Sequence, residues 1–178
     1  MAKRVKRGTG ATAQKYMTIA SRVTPKDVAV MNSKSLRGKA MRYTGGPFTG
    51  TYAIEVPNPN TKRRLLVYLH EIGHILLGHI DDNNKRSKSQ CEYEAEQFAI
   101  AEFVQNGIEL PSKEIENGRR YIAYVIVKDL KKGRKVSKKA IRYAGLDNLM
   151  SMAINNRLPV KIVKDLLDIL TEGKGCIF

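Results

Sequence analysis

The 178-residue sequence has few cysteines and no long apolar segment. Its two cysteines, Cys91 and Cys176, are too few for a disulfide framework, which favours a reducing compartment. No apolar run reaches the roughly 18 to 20 residues that a membrane-spanning helix needs. The basic N-terminus is not followed by the apolar segment of a secretory signal. We therefore expect a cytoplasmic protein that does not interact with membranes.

Acidic residues are scarce in two strongly basic segments of a chain whose net charge is +15. Residues 1–46 contain eleven lysines and arginines against Asp27 alone, and residues 131–142 contain seven and no acid. Such segments attract polyanions such as nucleic acid, or acidic proteins. A solubilising surface explains them equally well, and no aromatic residues are interleaved as a platform for stacking bases. Nucleic acid therefore stays an open partner, through segments 1–46 and 131–142.

The succession of local patterns predicts an α+β fold, with strands early and helices dominant from residue 61 onward. A loose basic arm is expected over 1–13, a core domain over 14–111 and a helical region packed on that core over 112–178. The expected elements are short helices at 14–22 and 25–32, a loop at 33–50, a strand at 51–56, and helices near 61–77, 89–105, 112–130, 137–156 and 160–171.

The most informative stretch is His70-Glu71-Ile72-Gly73-His74, within ten residues that hold all three histidines of the chain. Residues four apart share one face of a helix, so His70 and His74 can bind one metal ion, with Glu71 beside them. The alternative is that these are ordinary core or surface histidines. However, the helix is otherwise apolar, and buried ionisable groups need partners. The pattern is typical of zinc peptidases, in which the glutamate is the general base.

A third ligand must come from elsewhere in the chain. His79 follows His74 by five residues, about 140° away on an unbroken helix, so we expect it to face the helix-end dipole or solvent. Glu92 is the better candidate, because small residues on its helix face would let two helices approach closely. Glu92 could instead form a capping box with Ser89.

A second carboxylate on the same face as Glu92 has a different expected role. Glu96 follows Glu92 by four residues, with the small residues Ala95 and Ala99 on the same side. We expect Glu96 to accept an N–H from one of the ligating histidines, as carboxylates often do around protein-bound zinc.

These motifs together resemble the ImmA/IrrE-type zinc metallopeptidases. The resemblance rests on the sequence of residues 70–79, on Glu-x-Glu-Ala-x-x-Phe-Ala at 92–99 and on Leu-Pro-Ser at 110–112, and it covers about 50–112. It implies a zincin-like minimal core, in which a small sheet packs on the active-site helix, followed by a helical C-terminal part. It also implies Zn²⁺ as cofactor, His70, His74 and Glu92 as its ligands, and Glu71 as the catalytic acid/base.

The resemblance implies an endopeptidase acting on a protein substrate. Family members often serve phages, mobile elements or stress responses, and several inactivate a DNA-binding repressor, which suggests a repressor as substrate. An extended peptide could add to strand 51–56, and the oxyanion donor stays open among Tyr52, Tyr68, Tyr93 and Tyr121. Two alternatives remain: a DNA-binding regulator with a structural or vestigial zinc site, and a non-catalytic protein with core histidines.

Overall fold

The computed structural model describes residues 10–171, which form two compact units. One unit comprises residues 10–84 and Gln97–Leu110, and the other comprises Lys85–Glu96 and residues 111–171. The described part of the chain contains one small sheet and seven α-helices, which confirms the expected α+β class with a minimal zincin-like core and a helical part. The expected basic arm lies mostly outside the described residues, and α1 begins at Gly10, within it.

The elements follow one another along the chain with short connections. The strands are β1 (Val28–Asn32), β2 (Lys39–Arg42) and β3 (Tyr52–Val56). The helices are α1 (Gly10–Val23), α2 (Lys62–Leu76), α3 (Lys88–Gln105), α4 (Ser112–Lys131), α5 (Lys138–Ala144), α6 (Leu146–Asn155) and α7 (Val160–Thr171).

The first unit is built around the sheet and α2. Strand β3 lies in the centre, parallel to β1 and antiparallel to β2. Helix α2 packs against β2, β3 and α1, and side chains from all of these elements except β2 meet in one fully or nearly buried core. The C-terminal half of α3 adds Ala99 and Phe103 to this core. One face of α2 is thereby fixed in the interior.

Two sequence-based expectations about the sheet are wrong. Residues 25–32 were expected to be helical because Thr24-Pro25 is a good helix start, but Thr24 instead closes α1 by donating to the Ala20 carbonyl. Pro25 then begins a turn that leads into β1. The expected loop at 33–50 contains β2. Pairing with β3 stabilises its extended conformation, which the sequence of this segment does not predict.

The second unit contains the N-terminal half of α3 together with α4 to α7. Helix α4 packs against α5 and α6, and α7 packs against both of these shorter helices. The expected helix near 137–156 is interrupted at Gly145, whose φ of 81° separates α5 from α6. Aliphatic side chains of α4 to α7 form the core of this unit.

A buried carboxylate fixes the start of α3 within the second unit. Asp129 of α4 is 2% exposed and accepts a hydrogen bond of 2.8 Å from the Ser89 backbone N–H. Arg134 lies 3.4 Å from the same carboxylate. The negative charge therefore sits at the positive end of the helix dipole of α3, where it is stabilising.

Between Gly10 and Thr171, no helix combines the length and apolar character that crossing a bilayer requires. The expected cytoplasmic location stays a prediction.

Candidate metal centre

His70 and His74 lie one turn apart on α2, and both rings are only partly buried. Their Nε2 atoms are 3.2 Å apart. Two nitrogens bound at about 2.05 Å to one tetrahedral ion are about 3.3 Å apart. The opposite face of α2 carries fully buried residues such as Leu69 and Ile72, so packing holds the helix in a fixed rotation. The two imidazoles are thus already spaced as neighbouring ligands of a single ion.

The third expected ligand, Glu92, lies on α3 in the second unit. It is 8% exposed, and a buried carboxylate needs a cation or hydrogen-bond donors to remain ionised. Two imidazoles and one carboxylate are a donor set that suits zinc. Glu92 therefore stays the predicted third ligand beside the two histidines.

The alternative interpretation of Glu92 as part of a capping box with Ser89 is wrong. The first turn of α3 is capped by Ser87, whose side-chain Oγ accepts from the Gln90 N–H and whose carbonyl accepts from the Cys91 N–H. Glu92 therefore lies inside the helix, beyond the capping positions. Its one nearby cation along the helix, Lys88, is 3.9 Å away and 61% exposed, which makes a weak pair.

Glu71 lies beside the loop that leads into β2. A Cβ atom placed on Gly38 would come within 2.4 Å of Glu71 Cγ and 2.6 Å of Oε1. The missing side chain at position 38 is therefore what leaves room for the carboxylate. Glu71 is partly exposed, so water can reach it.

Of the two expected surroundings of His79, the end of the helix and solvent, the structure excludes solvent. His79 is 8% exposed, and its Nδ1 lies 3.0 Å from His74 Nδ1. The expectation assumed an unbroken helix, whereas α2 ends in a Schellman motif with Gly78 at φ 67°. In that motif the Gly78 N–H donates to the Ile75 carbonyl and the His79 N–H donates to the His74 carbonyl. The glycine that precedes His79 was the sequence signal for this reversal.

The loop that follows α2 is tied to the sheet. Tyr52 of β3 donates its hydroxyl hydrogen to Asp81, an interaction that raises the pKa of Tyr52. Arg42 of β2 forms an ion pair with Asp82. The Asn84 side chain donates to the His79 carbonyl at 2.6 Å. These contacts fix the chain immediately after the histidine pair.

Glu96 is buried, with 6% of its surface exposed. In the second unit its carboxylate lies against Gly118 of α4, where a Cβ would come within 2.1 Å of Oε1. The expected hydrogen bond from one of the ligating histidines to Glu96 stays a prediction.

The four tyrosines considered as oxyanion donors have different surroundings, and the buried Tyr68 is the one that the structure disfavours. Tyr68 is 5% exposed, and its hydroxyl is 2.7 Å from the Thr24 hydroxyl in the interior. Tyr52 is engaged by Asp81. The Tyr93 ring stacks at a tilt on Tyr143, with centroids 5.6 Å apart. Tyr121 is 44% exposed on α4.

Comparison with protein families gives one match. The family model Peptidase_M78, described as the IrrE N-terminal-like domain, matches residues 22–144, which is more than half of the chain. The match includes α2 and α3 in full. No curated protein and no solved structure matches the sequence.

Proposed function

The chain belongs to the IrrE N-terminal-like peptidase family, and from this membership we propose that it is a zinc-dependent endopeptidase. The family supports a metallopeptidase-type activity, and the expected ImmA/IrrE resemblance is confirmed. In the proposal His70, His74 and Glu92 hold the ion and Glu71 is the catalytic acid/base. One observation carries it: the 3.2 Å spacing of the two Nε2 atoms, which matches the spacing of two nitrogen ligands on one ion.

The proposed reaction is the hydrolysis of a peptide bond. Zinc held by His70, His74 and Glu92 would polarise the substrate carbonyl and lower the pKa of a bound water toward about 7. Glu71 then accepts a proton from the attacking water and delivers it to the nitrogen of the leaving amine. Partial exposure of Glu71 leaves it open to the water that it is proposed to deprotonate.

The decisive experiment distinguishes the role of the metal ligands from the role of Glu71 as the base. Glu71→Gln should retain stoichiometric zinc and lose cleavage of an unstructured peptide library, read as new amino termini by mass spectrometry. His74→Ala should lose both zinc and cleavage. Wild-type cleavage by Glu71→Gln would refute the proposed role of the base. A wild-type protein without stoichiometric zinc would refute the proposed enzyme.

Substrate peptide is proposed to bind along β2. The expectation that it adds to residues 51–56 is wrong, because β3 is paired on both sides. The outer edge of β2 has no strand partner among residues 10–171. The Tyr43 N–H donates to the Thr51 carbonyl, so by antiparallel alternation Lys39 and Met41 also bond to β3. Ala40 and Arg42 then direct their backbone groups outward, next to Gly38 and Glu71.

The proposed substrate class is a DNA-binding repressor, as the family resemblance suggests. The test is incubation with the repressor encoded nearest to the gene, with and without a chelator. Chelator-sensitive cleavage at one site supports this assignment. Cleavage of library peptides combined with an intact repressor would retain the peptidase and refute the substrate.

A second candidate function is DNA binding by a regulator with a structural or vestigial zinc site. The observation that favours it is the basic segment at 131–142, all seven of whose lysines and arginines are exposed. Binding to duplex DNA that weakens steeply with salt, without any cleavage, would support it. The partial exposure of Glu71 favours the peptidase, because a structural zinc site needs no general base.

A further inference from the structure

We propose that His79 is a positioning residue that accepts a hydrogen bond from Nδ1–H of His74 and thereby orients His74 toward the metal. This inference rests on the proposed function, since it requires His74 to be a ligand. It concerns a residue outside the proposed site of His70, Glu71, His74 and Glu92.

The first support is the double connection between the two residues. Their Nδ1 atoms are 3.0 Å apart, which is hydrogen-bond distance, and the His79 N–H donates to the His74 carbonyl at 2.8 Å. The Schellman motif creates the backbone bond, and Gly78 at φ 67° makes the motif accessible. The side-chain contact is therefore determined by the way in which α2 ends.

The second support is the chemistry of a neutral imidazole. A histidine that binds a metal through Nε2 carries its proton on Nδ1, which must donate to an acceptor. The nitrogen facing His74 Nδ1 is His79 Nδ1, so it must present its lone pair. The proton of His79 is then on Nε2. Zinc binding at one histidine thus selects the tautomer of the other.

The third support is the rigidity of His79 itself. It is 8% exposed, so its ring has little freedom to turn. Asn84 donates to its carbonyl, and Asp81 two residues later accepts from Tyr52. A partner fixed from both its backbone and the following loop can fix the orientation of His74 in turn.

The matched variants are His79→Phe and His79→Asn. Phenylalanine retains a buried ring but removes the acceptor, whereas asparagine places Oδ1 two bonds from Cβ, where Nδ1 stands. We expect His79→Phe to weaken zinc binding by about 10- to 100-fold in a chelator competition, with His79→Asn within a few-fold of wild type. Unfolding of the three metal-free proteins would be measured in parallel. Equal zinc affinity in wild type and His79→Phe would overturn the proposal.

A second measurement does not depend on the folding of any variant. Long-range ¹H–¹⁵N correlation spectra of the zinc-loaded wild type report the tautomer of each histidine. We expect His74 protonated on Nδ1 and His79 protonated on Nε2. A proton on His79 Nδ1 would overturn the proposal while leaving the peptidase assignment intact. Failure of the wild type to bind zinc would instead refute the proposed function.

Discussion

The space at Gly38 makes a sharp prediction about catalysis. In Gly38→Ala the new methyl group would stand 2.4 Å from Glu71 Cγ and 2.8 Å from Cδ, whereas ordinary contacts begin at 3.4 Å. The carboxylate or the loop must therefore move by about 1 Å. A displacement of that size at reacting groups costs roughly 100-fold in rate. Because Glu71 is not a proposed ligand, zinc binding should be unchanged.

The assay compares Gly38→Ala with Gly45→Ala. Gly45 has an extended backbone, with φ −155°, and a Cβ there would meet nothing within 4 Å. Both changes add one methyl group to a partly exposed loop of the same unit. We expect kcat/KM on a selected library peptide to fall about 100-fold in Gly38→Ala only, with similar zinc content and Tm in both. Full activity of Gly38→Ala, or the same loss in both variants, would refute the reasoning.

Three further predictions concern stability. Asp129→Ala leaves the buried Ser89 N–H without its acceptor, so the free energy of unfolding in urea should fall by about 3 kcal/mol, whereas the exposed Asp165→Ala should change it by less than about 0.5 kcal/mol. Tyr143→Phe should raise the free energy of unfolding by about 1 kcal/mol, because the buried Tyr143 hydroxyl has no hydrogen-bond partner among the described residues. Burial raises the pKa of Tyr143 in the folded protein, so above about pH 10 this tyrosine ionises only in the unfolded chain, and the free energy of unfolding of the wild type falls. Tyr143→Phe should lose less stability in that pH range. An equal alkaline loss in Tyr143→Phe would contradict this assignment.

The proposed ligands could be read from the sequence because helical spacing determines which side chains share a face. His70 and His74 needed only the four-residue period, and Glu92 needed only a neighbouring helix with small residues at 95 and 99. The inference about the two histidines depends on local geometry that an apolar helix reliably adopts, and the structure accordingly places their Nε2 atoms 3.2 Å apart. Glu92 as the third ligand stays a prediction.

The features that the sequence did not reveal depend on contacts between distant residues. Strand β1 follows a strong helix-start signal, and β2 lies in a segment rich in glycine and polar groups, yet pairing with β3 makes both extended. The contact of His79 with His74 was missed for a local reason, namely that a left-handed glycine reverses the chain. The open edge of the sheet could not be assigned until the strand order was known.

The Schellman turn at the end of α2 also sets a strict rule for chain length. Because the hydrogen bond from residue 79 to residue 74 fixes their offset at five, inserting or deleting one amino acid between them would replace the partner ring with a neighbour. The same change just after Asn84 would only alter the length of the connection between α2 and α3. An inserted tag or sensor near this centre should therefore be placed between Asn84 and Ser87, which caps α3.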